Sequence, residues 1–330
     1  MSAHTRNESH NTSRRPGIRW RRRIAAYSVL LLAAFGAVAL GGCMFQERLI
    51  FPSHFAGSPT GYVPPDVSQW WIQHADPSHP TSNQPAARTE VWWSLGAGRT
   101  PDSPGPAVIY FHGNGEILEE IDPRKRTMYT SRGVSIAMME YRGYGNADGK
   151  PGQRRIGADA ERLLELVQAR PEVDPDRLIF HGRSLGGGVA AQLAAHSPPA
   201  ALILETTFTS VLAMARRYLV PAAWVRHPFR TDHVIDHTYS GPVLVFHGDA
   251  DGIIPVQHGR RLAEIAPDRT RYIETVGDGH NDFPRDFPAF EAAVGEWLHH
   301  IGVLPAAQAS TETDTLSDEP PSEPEPNDPR

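Results

Sequence analysis

Short apolar runs alternate with longer segments of helical composition between residues 107 and 301. The runs are rich in β-branched and aromatic residues, as buried strands are, and the longer segments have the length and composition of helices. The pattern predicts strands at 107–111, 134–140, 177–180, 201–204, 243–246 and 271–274, and helices at 122–132, 157–169, 189–195, 257–265 and 287–301. Strands that alternate with helices in this way form a mostly parallel sheet covered on both faces, which is an α/β fold.

The segment before this regular region has a different composition. Residues 44–88 are rich in Pro, Gly and Ser, and we interpret them as a partly ordered lead-in with a strand near 70–74. Residues 89–95 alternate as an edge strand of an antiparallel pair does. The main domain is therefore expected at 89–302.

Two other segments depart from the alternation. Residues 206–241 contain aromatic residues and two prolines and are too long for a plain connection. They predict a small cap over the site, and the alternative is one extra surface helix. The C-terminal residues 303–330 are acidic and rich in Pro, with almost no apolar content, which predicts a disordered tail.

The N-terminus, residues 1–43, has the organisation of an export signal. Arginines are concentrated in the first 23 residues, and residues 24–42 form an uncharged run long enough to enter or span a bilayer. The run ends in Leu-Gly-Gly-Cys at Cys43, which resembles the cleavage site of bacterial lipoproteins, where the cysteine carries the lipid. The alternative is an uncleaved signal anchor. Both interpretations attach the chain to a membrane and place the residues after 43 outside the cytoplasm, in the cell envelope.

Charge and cysteine content narrow the function classes. The net charge is −6 over 330 residues, and the densest group of arginines lies at the N-terminus rather than in a groove-sized patch, so we expect no nucleic-acid partner. Cys43 is the only cysteine, which excludes an intrachain disulfide and a metal cage built from cysteines. We expect neither a cofactor nor a metal ion. Apolar residues make up 40% of the chain, enough for a full core.

A serine between two glycines marks the candidate nucleophile. Gly182, Ser184 and Gly186 form the pattern G-x-S-x-G, with a predicted strand before it and a predicted helix after it. A sharp turn from strand to helix forces a strained backbone at the serine, and only small neighbours avoid clashes there. The pattern predicts that Ser184 is held above the sheet, beside the N-terminus of a helix.

Two later segments supply a candidate acid and base, in the order Ser, Asp, His. Asp251 follows the strand predicted at 243–246, and His280 follows the strand predicted at 271–274. In this arrangement His280 accepts the proton of Ser184, and Asp251 orients the imidazole and stabilises its charged form. Asp249 is the alternative acid, although its position favours a role in capping the turn.

The first parallel strand is followed by a glycine-rich turn that suggests an oxyanion hole. We expect the N–H groups of Asn114 and Leu185 to donate to the negative oxygen of the intermediate. Three histidines that end predicted strands, His112, His181 and His247, suggest a metal site as an alternative. Each of them precedes a glycine at a strand end, where histidine usually satisfies loop backbone, so the metal site is disfavoured.

Six segments together resemble a known family. They are HGNGE at 112–116, YRGYG at 141–145, GRSLGGG at 182–188, LETTFTS at 204–210, HGDADGIIP at 247–255 and GDGHND at 277–282. In this order they resemble the α/β-hydrolase superfamily, specifically the Bem46-like or ABHD13/ABHD17-like serine hydrolases, over residues 89–302. The resemblance implies the same triad and the same oxyanion donors. One departure is Asn146, because the family often has a serine there.

These observations predict a membrane-tethered serine hydrolase. We expect a carboxylesterase or thioesterase that forms an acyl-enzyme intermediate, and the cap and the anchor suggest lipid-like or acylated substrates. The first alternative is a serine peptidase resembling the S33 aminopeptidase branch. The second is a surface lipoprotein that uses the fold as a binding module without catalysis.

Overall fold

A computed structural model describes residues 17–73 and 87–305. Eight strands form a single sheet in the order β1-β2-β4-β3-β5-β6-β7-β8. The strands are β1 (Ser68–Gln73), β2 (Arg88–Ser94), β3 (Gly105–Phe111), β4 (Ser135–Met139), β5 (Val173–Arg183), β6 (Ala201–Glu205), β7 (Val243–Gly248) and β8 (Thr270–Thr275). The β1–β2 and β2–β4 pairs are antiparallel, and the pairs from β4 to β8 are parallel. The predicted α/β fold is confirmed.

Helices cover both faces of this sheet. They are α1 (Gly17–Ile50), α2 (Pro123–Thr130), α3 (Gln153–Gln168), α4 (Leu185–His196), α5 (Val211–Arg216), α6 (Thr231–His233), α7 (Gln257–Ile265) and α8 (Phe287–His300). Apolar residues of α3, α4 and α7 pack in one core cluster, and those of α2 and α8 pack in a second cluster. Strand β3 contributes to both clusters by simple alternation. Ile109 belongs to the first and Tyr110 to the second, as the two-residue period of a strand requires.

The described N-terminal segment contributes more to the fold than a lead-in would. Strand β1 pairs with β2 and lies inside the segment 44–88, and the ring of Phe51 is buried in the core. The boundary at residue 89 is therefore wrong, because the sheet begins at Ser68. The interpretation of 89–95 as an edge strand is also wrong. Strand β2 lies between β1 and β4, so six of its seven residues are buried without alternation.

The domain also extends beyond residue 302, where the sequence analysis placed its C-terminal end. Val303 and Leu304 are buried in the second core cluster, and the Val303 carbonyl accepts a hydrogen bond from Arg177 Nε at 3.0 Å. These residues belong to the domain because they close the end of α8 against the sheet. The remaining part of the predicted tail, residues 306–330, lies outside the described residues.

The cap predicted at 206–241 divides into two parts. Helix α6 and the π-helical turn Val234–Thr238 that continues it pack on the domain, and Ile235 is fully buried there. Helix α5 and the turn Ala222–Trp224 contain no buried residue. This outer part contacts α1, whose Phe35 ring lies 5.9 Å from the ring of Trp224. We call residues 211–225 the outer cap.

Helix α1 continues without a break from Gly17 through Cys43 to Ile50. Its C-terminal end approaches the domain, where Gln46 is buried and Asn114 Nδ2 donates to the Ile50 carbonyl at 3.2 Å. In residues 17–73 and 87–305, no helix combines the length and apolar character needed to cross a membrane.

Candidate active site

Ser184 lies at a sharp turn between β5 and α4. Its φ of +52° is in the left-handed region, which a residue with a side chain rarely adopts. A Cβ on Gly182 would lie 2.1 Å from the Gly186 carbonyl oxygen, and a Cβ on Gly186 would lie 2.0 Å from that of Phe111. Neither contact is possible for a real side chain. The glycines of G-x-S-x-G therefore allow α4 to start directly above β3 and β5.

The structure brings the three predicted side chains together. His280 Nε2 lies 2.9 Å from Ser184 Oγ, and His280 Nδ1 lies 2.7 Å from Asp251 Oδ2. All three residues are at least nine-tenths buried. In serine hydrolases, a nucleophile, a base and an orienting acid are arranged in this same order of contacts.

Asp251 is held in place by several donors. Its Oδ1 accepts from the N–H groups of Ile253 at 2.9 Å and Ile254 at 2.8 Å, which leaves Oδ2 for His280. Burial by itself would raise the pKa of this carboxyl group, but hydrogen bonds from His247 and His280 hold the pKa well below its usual range. Asp251 is therefore ionised at neutral pH and faces the imidazole as a charged acceptor.

The alternative acid, Asp249, lies elsewhere. It is exposed, and its Oδ1 accepts from the Gly277 N–H at 2.7 Å. This contact joins the turn after β7 to the loop that carries His280. Asp249 thus has the turn-stabilising position that the sequence favoured for it.

The two predicted oxyanion donors lie on neighbouring loops. Leu185 is the first residue of α4, and the first four N–H groups of a helix have no partner within it. Asn114 follows β3, which α4 touches through Gly186. The N–H of Gly113 donates to Glu116 Oε2 at 2.7 Å and is thereby occupied, so the next amide along this turn is that of Asn114.

Sequence reasoning missed a charged pair that joins these loops. Arg183, the residue before the nucleophile, donates from Nη2 to the His280 carbonyl at 2.7 Å and pairs through Nη1 with Glu116. Glu116 in turn accepts the Gly113 N–H described above. Arg183 therefore links two segments to the turn that carries Ser184. They are the loop that carries His280, which we call the base loop, and the turn at 113–116, which we call the oxyanion turn. The signal in the sequence is a charged residue at the first variable position of G-x-S-x-G.

A second missed feature is a buried ionic cluster behind the nucleophile. Lys125 Nζ lies 2.5 Å from Glu205 Oε2, and His181 Nε2 lies 3.0 Å from the same oxygen. Burial would raise the pKa of Glu205, but Lys125, His181 and Arg183 together lower it to about 2. The Glu205 carbonyl accepts the Ser184 N–H at 2.8 Å. The cluster thus fixes the strand end on which the nucleophile rests.

The three strand-end histidines have separate partners. His112 Nε2 lies 3.0 Å from Glu140 Oε1, His181 contacts Glu205, and His247 Nε2 lies 2.7 Å from the Ile254 carbonyl. Across residues 17–73 and 87–305, no group of three or more His, Cys, Asp or Glu side chains is arranged to hold a metal ion. His112, through Nδ1 and the Gly113 carbonyl, and His247 contact loop backbone as the sequence favoured. Both ring nitrogens of His181 instead contact side chains, those of Tyr129 and Glu205.

Known proteins resemble this chain in sequence. The family described as "Serine aminopeptidase, S33" matches residues 102–237. The α/β hydrolase domain-containing protein WAV2 of Arabidopsis thaliana is 30% identical over 291 residues, which cover 78% of this chain and 90% of that protein. Lysophosphatidylserine lipase ABHD12 of Danio rerio is 28% identical over 294 residues, which cover 77% of this chain and 75% of that protein.

A solved structure supports the same assignment at the level of the fold. Apo esterase 2 of Thermogutta terrifontis is similar with a TM-score of 0.58 and 21% identity, over 74% of this chain and 98% of that chain. The match to WAV2 is 30% identical and covers 90% of that protein, so it shows membership of the family and not only a shared fold. The chain therefore belongs to the α/β-hydrolase superfamily.

Proposed function

We propose that this chain is a serine esterase that hydrolyses acyl esters through an acyl-Ser184 intermediate. One observation carries the proposal. The imidazole of His280 bridges the Ser184 hydroxyl at 2.9 Å and the Asp251 carboxylate at 2.7 Å. These distances are those of a base that is ready to accept the hydroxyl proton and an acid that orients the base.

In the acylation step, Ser184 Oγ attacks the ester carbonyl carbon while His280 Nε2 accepts its proton. The ionised Asp251 stabilises the imidazolium that forms, because opposite charges lie 2.7 Å apart in a buried site. The carbonyl oxygen becomes negative and is stabilised by the N–H groups of Leu185 and Asn114. The C–O bond then breaks, and His280 returns its proton to the leaving alcohol.

In the deacylation step, water takes the place of the alcohol. His280 accepts a proton from the water as the water oxygen attacks the acyl carbon. The resulting oxyanion accepts hydrogen bonds from the same two N–H groups. Collapse of this second intermediate breaks the bond to Ser184 Oγ and releases the carboxylic acid. The proton on His280 returns to Oγ, which restores the free enzyme.

The comparison with relatives favours an ester of a lipid-like acid. ABHD12 of Danio rerio carries the name of a lysophosphatidylserine lipase, and the six sequence motifs support a place in the Bem46-like or ABHD13/ABHD17-like branch. Thioesters react through the same steps and are included in the proposal.

A fluorophosphonate probe tests the esterase proposal, because such probes label activated serines. We expect labelling of the native chain and none of Ser184→Ala, with Ser197→Ala at the other end of α4 as the matched control.

Hydrolysis of p-nitrophenyl butyrate should follow the same pattern. The native chain and Ser197→Ala should be active, and Ser184→Ala should lose about 10⁴-fold or more of kcat, the usual size of a lost nucleophile. A folded native chain that neither reacts with the probe nor hydrolyses the ester would contradict the proposal. That result would favour the binding module without catalysis.

A second candidate is a serine peptidase, which the S33 aminopeptidase family match favours. The triad chemistry would be the same, and an amine would leave in place of the alcohol. Aminoacyl-nitroanilides distinguish the two. Faster hydrolysis of the anilides than of the esters would favour the peptidase.

We further propose that the chain is tethered to a membrane at its N-terminus, outside the cytoplasm, with Cys43 as the lipid-bearing residue. The support is the arginine-rich start, the uncharged run 24–42 and the Leu-Gly-Gly-Cys ending. Cys43→Ala should block processing or release the protein from membranes, as gel migration and fractionation will show. Unchanged size and unchanged membrane retention would support an uncleaved signal anchor instead.

A further inference from the structure

We propose that His112 is a positioning residue that turns the N–H of Asn114 toward Ser184, an inference that rests on the esterase function proposed above. His112 directly follows β3 and is fully buried. Its ring contacts Glu140 and Tyr141, two buried residues that directly follow β4. The acylation and deacylation steps leave these three residues, which belong to or adjoin the motifs HGNGE and YRGYG, without a role.

The partners of the His112 ring show where its protons lie. Nδ1 lies 2.8 Å from the Gly113 carbonyl oxygen, which can only accept a hydrogen bond, so Nδ1 carries a proton. Nε2 lies 3.0 Å from Glu140 Oε1. Burial would lower the pKa of the imidazole, but the Glu140 carboxylate raises this pKa above its ordinary value, which favours a proton on Nε2 as well. The Gly113 carbonyl therefore accepts from a donor that Glu140 strengthens.

This contact sets the direction of one peptide group. The Gly113 carbonyl and the Asn114 N–H belong to the same peptide unit, and the bond that joins them is trans. In a trans unit the C=O and the N–H point in opposite directions. Because the carbonyl points at the His112 ring, the Asn114 N–H points away from it.

The order of the strands shows what lies on that other side. Strand β3 is between β4 and β5, and the His112 ring is on the β4 side, against Glu140 and Tyr141. Ser184 directly follows β5. An N–H that points away from the ring of His112 therefore points toward the turn that carries the nucleophile.

The preceding peptide group is held in the same sense. The His112 carbonyl accepts from the Tyr141 hydroxyl at 2.7 Å, on the β4 side. The Gly113 N–H of the same unit donates to Glu116 Oε2 at 2.7 Å, and Glu116 pairs with Arg183 at the end of β5. Two successive peptide groups thus have their carbonyls fixed toward β4, which leaves little freedom for the start of the oxyanion turn.

The Asn114 N–H is the donor that these contacts leave free. Within residues 17–73 and 87–305 it has no hydrogen-bond acceptor. A donor stabilises an oxyanion best when it is already aimed at the place where the charge develops. His112 supplies that aim through Gly113 and does not itself contact the substrate.

Two substitutions of His112 separate the roles of its ring nitrogens. The amide nitrogen of Asn reaches the place of Nδ1 and that of Gln the place of Nε2, so His112→Asn keeps a donor for Gly113 and His112→Gln loses it. On p-nitrophenyl butyrate, His112→Gln should lower kcat by about 10²-fold, the cost of one oxyanion donor, with KM within about twofold. His112→Asn should lower kcat by less than about tenfold. His300→Gln, at an exposed position of α8, is the matched control and should change neither constant.

Two further measurements exclude a merely structural effect. Each kcat is counted per site that the fluorophosphonate probe labels at completion, so unfolded protein does not lower it. The affinity for a trifluoromethyl ketone, whose adduct with serine carries the negative oxygen, should fall in parallel with kcat. Equal losses of kcat in His112→Asn and His112→Gln, or a change in KM alone, would overturn the positioning role.

Tyr141→Phe keeps the test independent of a folding defect at His112. The variant retains the ring whose centre lies 4.1 Å from that of His112, and it removes the hydroxyl that holds the His112 carbonyl. We expect kcat to fall by up to about tenfold with KM within about twofold. If neither variant of His112 folds, an unaltered kcat in Tyr141→Phe overturns the proposal.

These failures differ from a failure of the esterase proposal. A native chain that hydrolyses the butyrate and is labelled by the probe, together with a His112→Gln variant of equal kcat, overturns the positioning role alone. A native chain that is inert toward both the ester and the probe overturns the proposed function, and with it the role of His112.

Discussion

The buried pair of Lys125 and Glu205 gives the sharpest stability prediction. Lys125→Met should destabilise the domain by about 3 kcal/mol, because it leaves the Glu205 carboxylate buried without its nearest cation. The pKa of Glu205 falls from 4.5 to about 2 in the fold, which corresponds to about 3 kcal/mol of favourable interaction with its surroundings. Lys125 is the largest attractive contribution to this figure.

Urea unfolding at pH 7, followed by tryptophan fluorescence, measures this loss. For a domain of this size, about 3 kcal/mol also lowers the Tm by about 6–12 °C. The double variant Lys125→Met with Glu205→Gln should recover much of the stability, because it leaves no unpaired carboxylate in the core. Arg124→Met is the matched control, since Arg124 is exposed and its ion pair in the described residues is with the partly exposed Asp122. It should change stability far less than Lys125→Met does.

Two outcomes would refute this reasoning. One is a loss below about 1 kcal/mol for Lys125→Met, which would mean that water or a shifted Arg183 replaces the lysine at little cost. The other is a double variant less stable than the single one. That result would mean that Glu205 stabilises the fold through contacts that do not depend on the charge of Lys125.

Three further predictions follow from the same contacts. The stabilising contribution of Glu205 should be complete above its unfolded pKa of 4.5 and be lost as pH falls toward 2, because folding lowers its pKa. In urea unfolding, the free energy of unfolding should therefore fall more between pH 5 and pH 3 for the native chain than for the double variant. Asp251→Asn should lower kcat for p-nitrophenyl butyrate by about 10⁴-fold with little change in KM, since the amide no longer stabilises the charged imidazole; a loss below tenfold would exclude Asp251 as the orienting acid. Arg183→Met should lower kcat by about 10²-fold while fluorophosphonate labelling becomes slower, because the oxyanion turn and the base loop lose their common partner; Arg183→Lys should restore part of the rate, and unaltered kcat would show that the pair is dispensable.

Local patterns in the sequence were sufficient to locate most elements and the three side chains that the structure brings together at the candidate site. Strand β3 and helix α7 have the apolar spacing of their final positions, and Ser184 is marked by the glycines that its turn requires. Asp251 and His280 could be predicted because the carboxyl ends of parallel strands meet at one edge of a sheet. These features depend on short stretches of chain and on a topology that follows from their order.

Contacts between distant segments could not be predicted in the same way. Arg183 and Glu116 are 67 residues apart, and Ile50 and Asn114 are 64 residues apart, and no periodicity relates either pair. The position of β2 inside the sheet likewise depends on β1, which comes from a segment rich in turn formers. Composition predicted a strand near 70–74 in that segment, but it could not predict that this strand pairs with β2 and so places β2 inside the sheet.

The position of Cys43 within α1 has a consequence for maturation. Phe35 and Leu49 both line a cavity of about 680 Å³ between α1 and the outer cap, and they lie on opposite sides of that cysteine. Cleavage before Cys43 would remove Phe35 and leave Leu49, so the precursor and the mature protein would share the residues around Ser184 but differ in this cavity. Export processing would then open one wall of the cavity without touching the candidate catalytic residues.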